Sequence, residues 1–355
     1  MSGLGEDIEK VFGSRPASGA QREALKRSFH SVHDVPVLEA VDVLVSVGFP
    51  SLASREKALI ECLTQRVSET MTGNEFHSPA HAFHVAMIAA LFSRRMSRFR
   101  DPDRASILLT IAGLGHDLDH PGAGAADFGE FDIEKRSADM TAEMMLAHGM
   151  CIEECHFVRR VIVSSLARLR QPIMRLMDVI ELEASVAEND VRLPSVLPPC
   201  FARDPEGIAG AAVLSDADLF FSMGVDFETT RELSRRLLRE QCPQAAGATE
   251  AQTASSFIAG VSCGNFATAP GAEYLDTLRG IAIRADSGTD VGKAELPPRD
   301  IALSVAGREC PNWREEARHS GRSHFVDHRG LEIVRGRSGA WFARGPGDPC
   351  LRMVR

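Results

Sequence analysis

The chain contains 355 residues, of which 44% are hydrophobic and 25% charged, a composition typical of a globular protein with one large core or two modest ones. Its net charge of -9 argues against broad nucleic-acid binding, and it has no apolar run near the roughly 18 residues of a membrane span. The N-terminus has no signal-peptide pattern and the 8 cysteines form no CxxC pairs, so we expect a cytoplasmic protein with reduced thiols.

Helical periodicity dominates the sequence before about residue 290, where β-branched alternation is rare. The pattern predicts an all-α fold, divided into an N-terminal segment (1–20), a helical domain (21–286) and a C-terminal appendage (287–355). The predicted helices span residues 19–30, 36–47, 51–71, 79–99, 104–116, 132–148, 153–169, 172–188, 207–223, 226–240, 251–266 and 270–285.

The appendage differs in composition from the rest of the chain. Residues 299–355 contain 11 arginines and no lysine, and residues 301–305 and 331–334 have strand character. The segment therefore predicts either a small β-ribbon or a partly disordered tail. Its arginines fit a salt-bridged surface, or alternatively a patch that binds an anion or a partner.

The most informative stretch is 116–122, which reads His-Asp-Leu-Asp-His-Pro-Gly and follows an almost wholly apolar run over 105–114. That run predicts a buried helix that carries polar groups into an enclosed site. Burying two ionisable groups in series costs several kcal/mol unless a cation or another partner satisfies them. We therefore interpret His116 and Asp117 as metal ligands.

A second stretch concentrates three histidines, His77, His81 and His84, within eight residues. His77 and His81 are four residues apart, so they share a face if one helix carries both, and Pro79 fits the first turn of that helix. On their own, these histidines fit either a metal or catalytic site or a solvated surface.

A third element is Asp218, which lies between apolar residues on a predicted helix. It is either a metal ligand or a hydrogen-bonded core carboxylate, whereas Asp216 should point elsewhere. Taken with the two histidine stretches, Asp218 completes a set of nitrogen and oxygen donors on separate helices. Such a set suits zinc, iron, manganese or cobalt better than calcium.

The order and spacing of these motifs resemble the HD superfamily of metal-dependent phosphohydrolases. Residues 76–85 (FHSPAHAFHV) resemble the YHNxxHAxDV segment of class I cyclic-nucleotide phosphodiesterases, 116–122 match their HDxDHPG, and 217–219 match their ADL. The resemblance covers about residues 55–285 and implies an HD/phosphodiesterase-like helical bundle. It also implies hydrolysis of a phosphoester, above all of a 3′,5′-cyclic nucleotide to a 5′-nucleoside monophosphate.

The resemblance further implies two divalent ions and a role for each matching residue. Asp117 would bridge to a second ion, magnesium or manganese, and His120 would contact waters bound to it. His77 would be the general acid, Glu134 keeps its place among the catalytic residues, and Phe257 would bind the base. The first ion, zinc, would be held by His81, His116, Asp117 and Asp218.

The chain departs from the family pattern at several positions near these motifs. Phe76, Ser78 and His84 stand where the family has Tyr, Asn and Asp, and Ala125 replaces an Asn. The family has a Glu followed by a variable residue and two histidines, whereas Glu134 is followed here by Lys-Arg-Ser at 135–137. The metal-binding pattern is retained despite these changes.

Base recognition also departs from the family pattern. If Phe257 is the residue that clamps the base, the purine-selecting Gln is Ala254 here, and Gln252 is two positions away. We therefore expect weak purine discrimination. We expect the chain to bind a small nucleotide substrate and to bind neither nucleic acid nor a membrane. The sequence is also compatible with a homodimer.

Three other activities are compatible with the sequence. One is an HD phosphohydrolase acting on a nucleoside mono- or triphosphate, and another is a metal-bound but catalytically silent sensor. The third is a diiron HD oxygenase, which needs further histidine ligands; His148 and His156 are the candidates, and neither lies in a recognisable ligand pair.

Overall fold

The fold is described by a computed structural model that covers residues 3–129, 131–182, 197–241, 265–284, 324–326, 332–344 and 351–354. Helices dominate these residues up to position 284, so the prediction of an all-α fold is confirmed there. The helices are α1 (Gly3–Gly13), α2 (Gly19–Ser31), α3 (Val37–Gly48), α4 (Ser54–Thr70), α5 (Pro79–Ser93), α6 (Pro102–Gly115), α7 (Asp132–Ala147), α8 (Ile152–Val163), α9 (Arg170–Glu181), α10 (Pro205–Met223), α11 (Phe227–Gln241), α12 (Ala269–Ala272) and α13 (Leu275–Arg284).

Helices α5, α6 and α10 form the centre of the bundle and pack against one another. Every residue of α5 from 81 to 93 is buried, and α10 is buried over almost its whole length. Helices that are apolar on all sides are expected at the centre of a bundle, because no face of them has to meet water. Polar residues in the central turns of these helices therefore lie inside the protein, as His84, Thr110 and Asp216 do.

The three central helices begin in the same way. Each has a capping side chain that accepts a hydrogen bond from the backbone N–H three residues later, followed by proline at the first helical position. Both features favour a helix start, because the cap satisfies a free N–H and proline lacks one. The pairs are Ser78-Pro79, Asp101-Pro102 and Asp204-Pro205.

Helices α5 and α6 approach each other most closely at Gly113. A Cβ atom at this position would lie 2.6 Å from the Ala86 Cα and 2.7 Å from the Ala86 nitrogen. Only glycine allows two backbones to come this close. The contact sets the spacing between α5, which carries His81, and the end of α6, where His116 follows.

The C-terminal part of the chain forms a small antiparallel sheet in the order β1-β2-β3-β4. The predicted strand at 331–334 corresponds to β2, whereas the predicted strand at 301–305 lies outside the described residues. The strands are β1 (His324–Val326), β2 (Glu332–Arg335), β3 (Trp341–Arg344) and β4 (Arg352–Val354).

Helix α1 was not predicted, although Leu4, Ile8 and Val11 are spaced for one helix face and all are buried in the main core. The predicted helices at 79–99 and 153–169 end earlier, at Ser93 and Val163. The predicted helix at 251–266 lies largely outside the described residues, and the three-part division of the chain stays a prediction.

Among the described helices, none is by itself both long and apolar enough to cross a membrane. Helices α10 and α11, bent by 105° at their junction, meet the length and composition test only as a pair. In the fold, α10 is a buried core helix.

Candidate metal centre

Four predicted ligands from three parts of the chain meet at one point. His81 lies on α5, His116 and Asp117 follow α6, and Asp218 lies on α10. The His81 Nε2 is 3.1 Å from the Asp218 Oδ1 and 3.6 Å from the Asp117 Oδ2. The His116 Nε2 is 3.1 Å from the Asp117 Oδ2 and 3.6 Å from the Asp218 Oδ1. Ligands held about 2.1 Å from one ion in tetrahedral geometry are about 3.4 Å apart, so these separations fit a metal.

The two histidines offer free nitrogen atoms to this point. The His81 Nε2 and the His116 Nε2 are buried, and within the part of the chain that the structure describes neither has a hydrogen-bond partner. The His116 Nδ1 lies 2.8 Å from the Gly113 carbonyl oxygen and therefore donates its hydrogen to it. In the neutral ring this bond leaves the lone pair on the His116 Nε2, which is the form that binds a metal.

The charges around these four side chains favour the ionised form of both carboxylates. Burial alone would lower the pKa of His116, but Asp117 and Asp218 raise it well above its ordinary value. Burial alone would likewise raise the pKa of Asp117 and of Asp218, but the neighbouring histidines lower both. Two partly buried carboxylates beside two imidazoles require positive charge, which a divalent cation supplies. The residues present therefore fit a metal ion.

His77 lies beside this group and is held by Glu240 from the last turn of α11. The His77 Nδ1 forms a short contact with the Glu240 Oε1. The Glu240 Oε2 accepts hydrogen bonds from the backbone N–H groups of Phe76, at 2.7 Å, and of His77, at 3.2 Å. Burial would lower the pKa of His77, but Asp117, Glu240 and Asp218 together raise it. His77 is thus favoured in its protonated form.

His120 stacks on His77 with their ring centroids 3.7 Å apart. Its Nδ1 accepts a hydrogen bond from the Gly122 N–H at 3.1 Å, so the proton of the neutral ring is on Nε2. Burial lowers the pKa of His120 to about 4, which keeps the ring neutral at neutral pH. His120 is therefore a hydrogen-bond donor through Nε2.

His77, His120 and Glu240 also lie close enough to one another to form a second potential metal group. Both Glu240 oxygens already bind His77, and the His120 Nδ1 binds the Gly122 N–H, so these bonds leave the Nε2 atom of each ring. This arrangement favours a hydrogen-bonded acid group over a second ion held by these side chains.

The loop between α6 and α7 is fixed by polar contacts from two helices. Asp119 adopts a positive φ of 60° and accepts hydrogen bonds from Arg66 on α4, at 2.9 Å, and Arg136 on α7, at 3.1 Å. Arg136 occupies a position at which the family pattern has a histidine, and here its side chain binds Asp119 instead. Glu134, on the same helix, has its pKa raised by burial and by the nearby charges of Asp117 and Asp218.

A small cavity of about 10 Å³ adjoins the ligands His81 and Asp218. Its lining includes His84, Phe221 and Arg236, and the buried His84 Nε2 has no hydrogen-bond partner among the described residues. Phe257, the predicted base-binding residue, lies outside the described residues together with Gln252 and Ala254.

Glu240 is the site residue that the sequence analysis missed. Its only local signal is an acidic side chain in the last turn of a helix, where the helix dipole disfavours negative charge. The two histidines proposed for a diiron site do not join either potential metal group among the described residues. The His148 Nδ1 donates to the Met144 carbonyl instead, and His156 is exposed.

Comparisons with known proteins add little to this geometry. Neither a protein-family model nor a curated protein matches the chain. Among solved structures, the chain is similar to the phosphodiesterase domain of a RhoPDE fusion protein from the choanoflagellate Salpingoeca rosetta. That likeness has 17% identity and a TM-score of 0.48 and covers 80% of this chain and 97% of that one. At this identity and TM-score, it establishes neither a family nor an activity.

Proposed function

We propose that the chain is a metal-dependent phosphoester hydrolase and that its substrate is a 3′,5′-cyclic nucleotide, which it opens to a 5′-nucleoside monophosphate. The observation that carries this proposal is the convergence of His81, His116, Asp117 and Asp218 through unpartnered imidazole nitrogens and ionised carboxylate oxygens. The motif resemblance supports the cyclic-nucleotide substrate.

These four residues would hold the first ion, zinc, and Asp117 would also bind the second, magnesium or manganese. Bound divalent ions lower the pKa of a water molecule towards 7 and neutralise the charge that builds on phosphoryl oxygens. The protein must then supply a proton for the leaving oxygen and hold the phosphoryl group in position.

His77 is suited to supply that proton. Its Nδ1 is engaged by Glu240, so its Nε2 is the atom that would donate, and the Glu240 carboxylate raises the pKa of the ring, which favours the protonated form. After donation, the Glu240 carboxylate keeps the ring in the same orientation through Nδ1. The chemistry therefore needs no other acid at this position.

His120 and Glu134 would act as hydrogen-bonding groups around the reacting phosphate. His120 is neutral and donates through Nε2, which suits a phosphoryl oxygen or an ordered water. Glu134 has a raised pKa, so its carboxylate is suited to accept a proton from a water molecule near Asp117 or to share one with it.

Metal analysis combined with a substrate panel tests the proposal. Purified chain should contain zinc and should hydrolyse cAMP or cGMP after addition of magnesium or manganese. Asp117→Asn should lower both bound metal and turnover, the latter by at least about 10²-fold because an interaction with both ions is lost. Asp139→Asn is the matched control, since its exposed pair with Arg159 lies outside the site.

Each alternative activity gives a different result on the same panel. Hydrolysis of nucleoside monophosphates or triphosphates without activity on cyclic nucleotides would indicate a phosphatase instead. Metal binding with no hydrolysis of any member would support a silent sensor, and iron with oxygen consumption would support an oxygenase. A chain that binds no divalent metal would overturn the proposed function altogether.

A further inference from the structure

Asp216 is a fully buried carboxylate on α10, two residues before the ligand Asp218, and it faces away from the metal group. Its Oδ1 accepts hydrogen bonds from the Arg170 Nη2 and the Ala267 N–H, both at 2.8 Å. Its Oδ2 accepts from the Thr268 N–H at 2.8 Å and from the Thr268 hydroxyl at 2.7 Å. Four donors from two other segments therefore fix the turn of α10 that carries Asp218.

Arg170, the first residue of α9, is also fully buried. Besides Asp216, its guanidinium donates to the Ser215 hydroxyl and to the Asn265 carbonyl oxygen, each at 2.8 Å. A buried ion pair of this kind adds specificity of position when all its donors and acceptors are satisfied. Arg170 thus ties α9, α10 and the segment that begins at Asn265.

The C-terminal sheet joins this network through the turn at 336–339, which connects β2 and β3. Asp178 of α9 accepts hydrogen bonds from the Arg337 N–H at 2.7 Å and the Ser338 N–H at 2.9 Å. Gly336 lies so close to Asp178 that a Cβ atom there would come within 2.2 Å of the Asp178 Oδ2. The turn is therefore shaped to fit this carboxylate.

Asn265 links the turn to the buried ion pair. Its side-chain Nδ2 donates to the Arg337 carbonyl oxygen at 2.8 Å, while its own carbonyl oxygen accepts from Arg170. Its Oδ1 accepts from the Phe266 N–H at 2.9 Å, which orients the amide. A continuous set of hydrogen bonds thus runs from the turn through Asn265 and Arg170 to Asp216.

We propose that the 336–339 turn of the C-terminal sheet is a positioning element for the metal centre. It holds Asn265 and α9, so that Arg170 fixes Asp216 and, through it, the helix turn that presents Asp218. The residues of this network are positioning residues, because none of them touches the metal group. The inference rests on the proposed function, since it requires that His81, His116, Asp117 and Asp218 bind an ion.

Two variants of the full chain break the link at different points. Asn265→Asp keeps the oxygen that accepts from Phe266 but replaces the group that donates to Arg337. Asp178→Asn keeps the size of the side chain but removes its charge, which weakens the hydrogen bonds that it accepts from the N–H groups of Arg337 and Ser338. Arg337→Ala is the matched control, because it removes the side-chain bridge to Glu181 and a positive charge near Asp178 but leaves the backbone hydrogen bonds of the turn in place.

The readouts are the dissociation constant for Co²⁺ and the visible absorption spectrum of the Co²⁺-loaded protein, measured well below the thermal midpoint of every variant. We expect Asn265→Asp and Asp178→Asn to weaken Co²⁺ binding by about 2- to 30-fold and to change the spectrum. Arg337→Ala should bind Co²⁺ within about twofold of the wild type with an unchanged spectrum. A purely structural brace would lower the melting temperature and leave the spectrum unchanged.

Wild-type Co²⁺ affinity and spectrum in both Asn265→Asp and Asp178→Asn would overturn the positioning role and leave the proposed function intact. The same conclusion would follow if Arg337→Ala changed the spectrum as much as they do. If Asp178→Asn does not fold, Asn265→Asp decides alone. Failure of the wild-type chain to bind Co²⁺ would instead overturn the metal centre and this inference with it.

Discussion

His77 and Glu240 are 163 residues apart in sequence, yet the carboxylate of Glu240 binds both the ring and the backbone of His77. The same carboxylate holds the backbone N–H of Phe76, so it fixes the segment that leads into α5 as well as the orientation of the imidazole. An acid must keep its orientation through proton transfer, and this contact provides that constraint. Glu240 therefore couples the end of α11 to the metal-binding end of α5.

Replacing Glu240 by Gln tests this coupling. Glu240 contributes to the raised pKa of His77, so removing its charge should lower that pKa and shift the alkaline side of the pH–rate profile to lower pH. Turnover near neutral pH should fall, by less than the roughly 10²- to 10⁴-fold that a positioned acid contributes in full. Glu75→Gln, which removes an exposed partner of Arg239, is the control and should keep the wild-type profile. A Glu240→Gln enzyme with the wild-type profile would show that Glu240 only braces the fold.

His77→Ala should retain bound metal and slow hydrolysis of a cyclic nucleotide by about 10²- to 10⁴-fold. The loss should be much smaller for a p-nitrophenyl phosphodiester, because p-nitrophenolate leaves without prior protonation. Single-turnover rates on both substrates, with metal content measured on the same samples, provide the comparison. Equal losses on the two substrates would contradict the role of His77 as the acid.

His84 gives the folded protein a specific sensitivity to acid. Burial first, and then the charges of His33, His81 and Arg236, hold the pKa of His84 well below its ordinary value of 6.5. On unfolding, the ring takes up a proton below that pH, so the unfolded state is favoured as the pH falls. This single group should remove about 1.4 kcal/mol of unfolding free energy per pH unit below about 6.5, until the folded pKa is reached.

His84→Phe should abolish this component while keeping the ring contacts with Phe29 and Phe221. Thermal unfolding of metal-free protein at pH 8 and pH 5.5 is the measurement, and the variant should gain more stability at pH 5.5 than at pH 8. His156→Gln, which replaces an exposed histidine on α8, is the control. A gain that is equal at both pH values would assign the effect to the loss of the unpartnered Nε2 rather than to protonation.

The parts of the site that could be predicted from sequence are those carried by local patterns. His116 and Asp117 follow an apolar run with distinctive spacing, and His81 and Asp218 lie on strongly apolar helices. Glu240 could not be identified as a partner of His77, because its identity depends on how α11 packs against the start of α5. The pairing of Arg170 with Asp216 was missed for the same reason, although Asp216 was expected to point away from the ligands.

The fold shows a similar division. The central helices were predicted from their apolar runs, but α6 and α10 were predicted to begin at residues 104 and 207, two residues after the prolines that start them. The ends of α5 and α8 were predicted too far along the chain, since apolar and charged residues continue beyond Ser93 and Val163, where the α-helices end. Helix α1 had the required spacing of Leu4 and Ile8, but its short length and flanking glycines weakened the pattern.

The spacing of α5 and α6 at Gly113 leads to the last prediction. An alanine there would bring its Cβ within 2.6 Å of the Ala86 backbone, which cannot move aside as a flexible side chain could. The helices must separate, and overpacking of this kind typically costs about 1–3 kcal/mol. Because His81 and His116 lie on opposite sides of this contact, Gly113→Ala should weaken metal binding as well as lower the free energy of unfolding. Gly280→Ala is the matched control: no atom of the described residues lies within 4 Å of a Cβ placed there, and the change should stabilise the helix by about 0.5–1 kcal/mol without altering metal affinity. Denaturant unfolding and metal titration of both variants provide the test, and wild-type metal affinity in a destabilised Gly113→Ala protein would show that the ligand spacing does not depend on this contact.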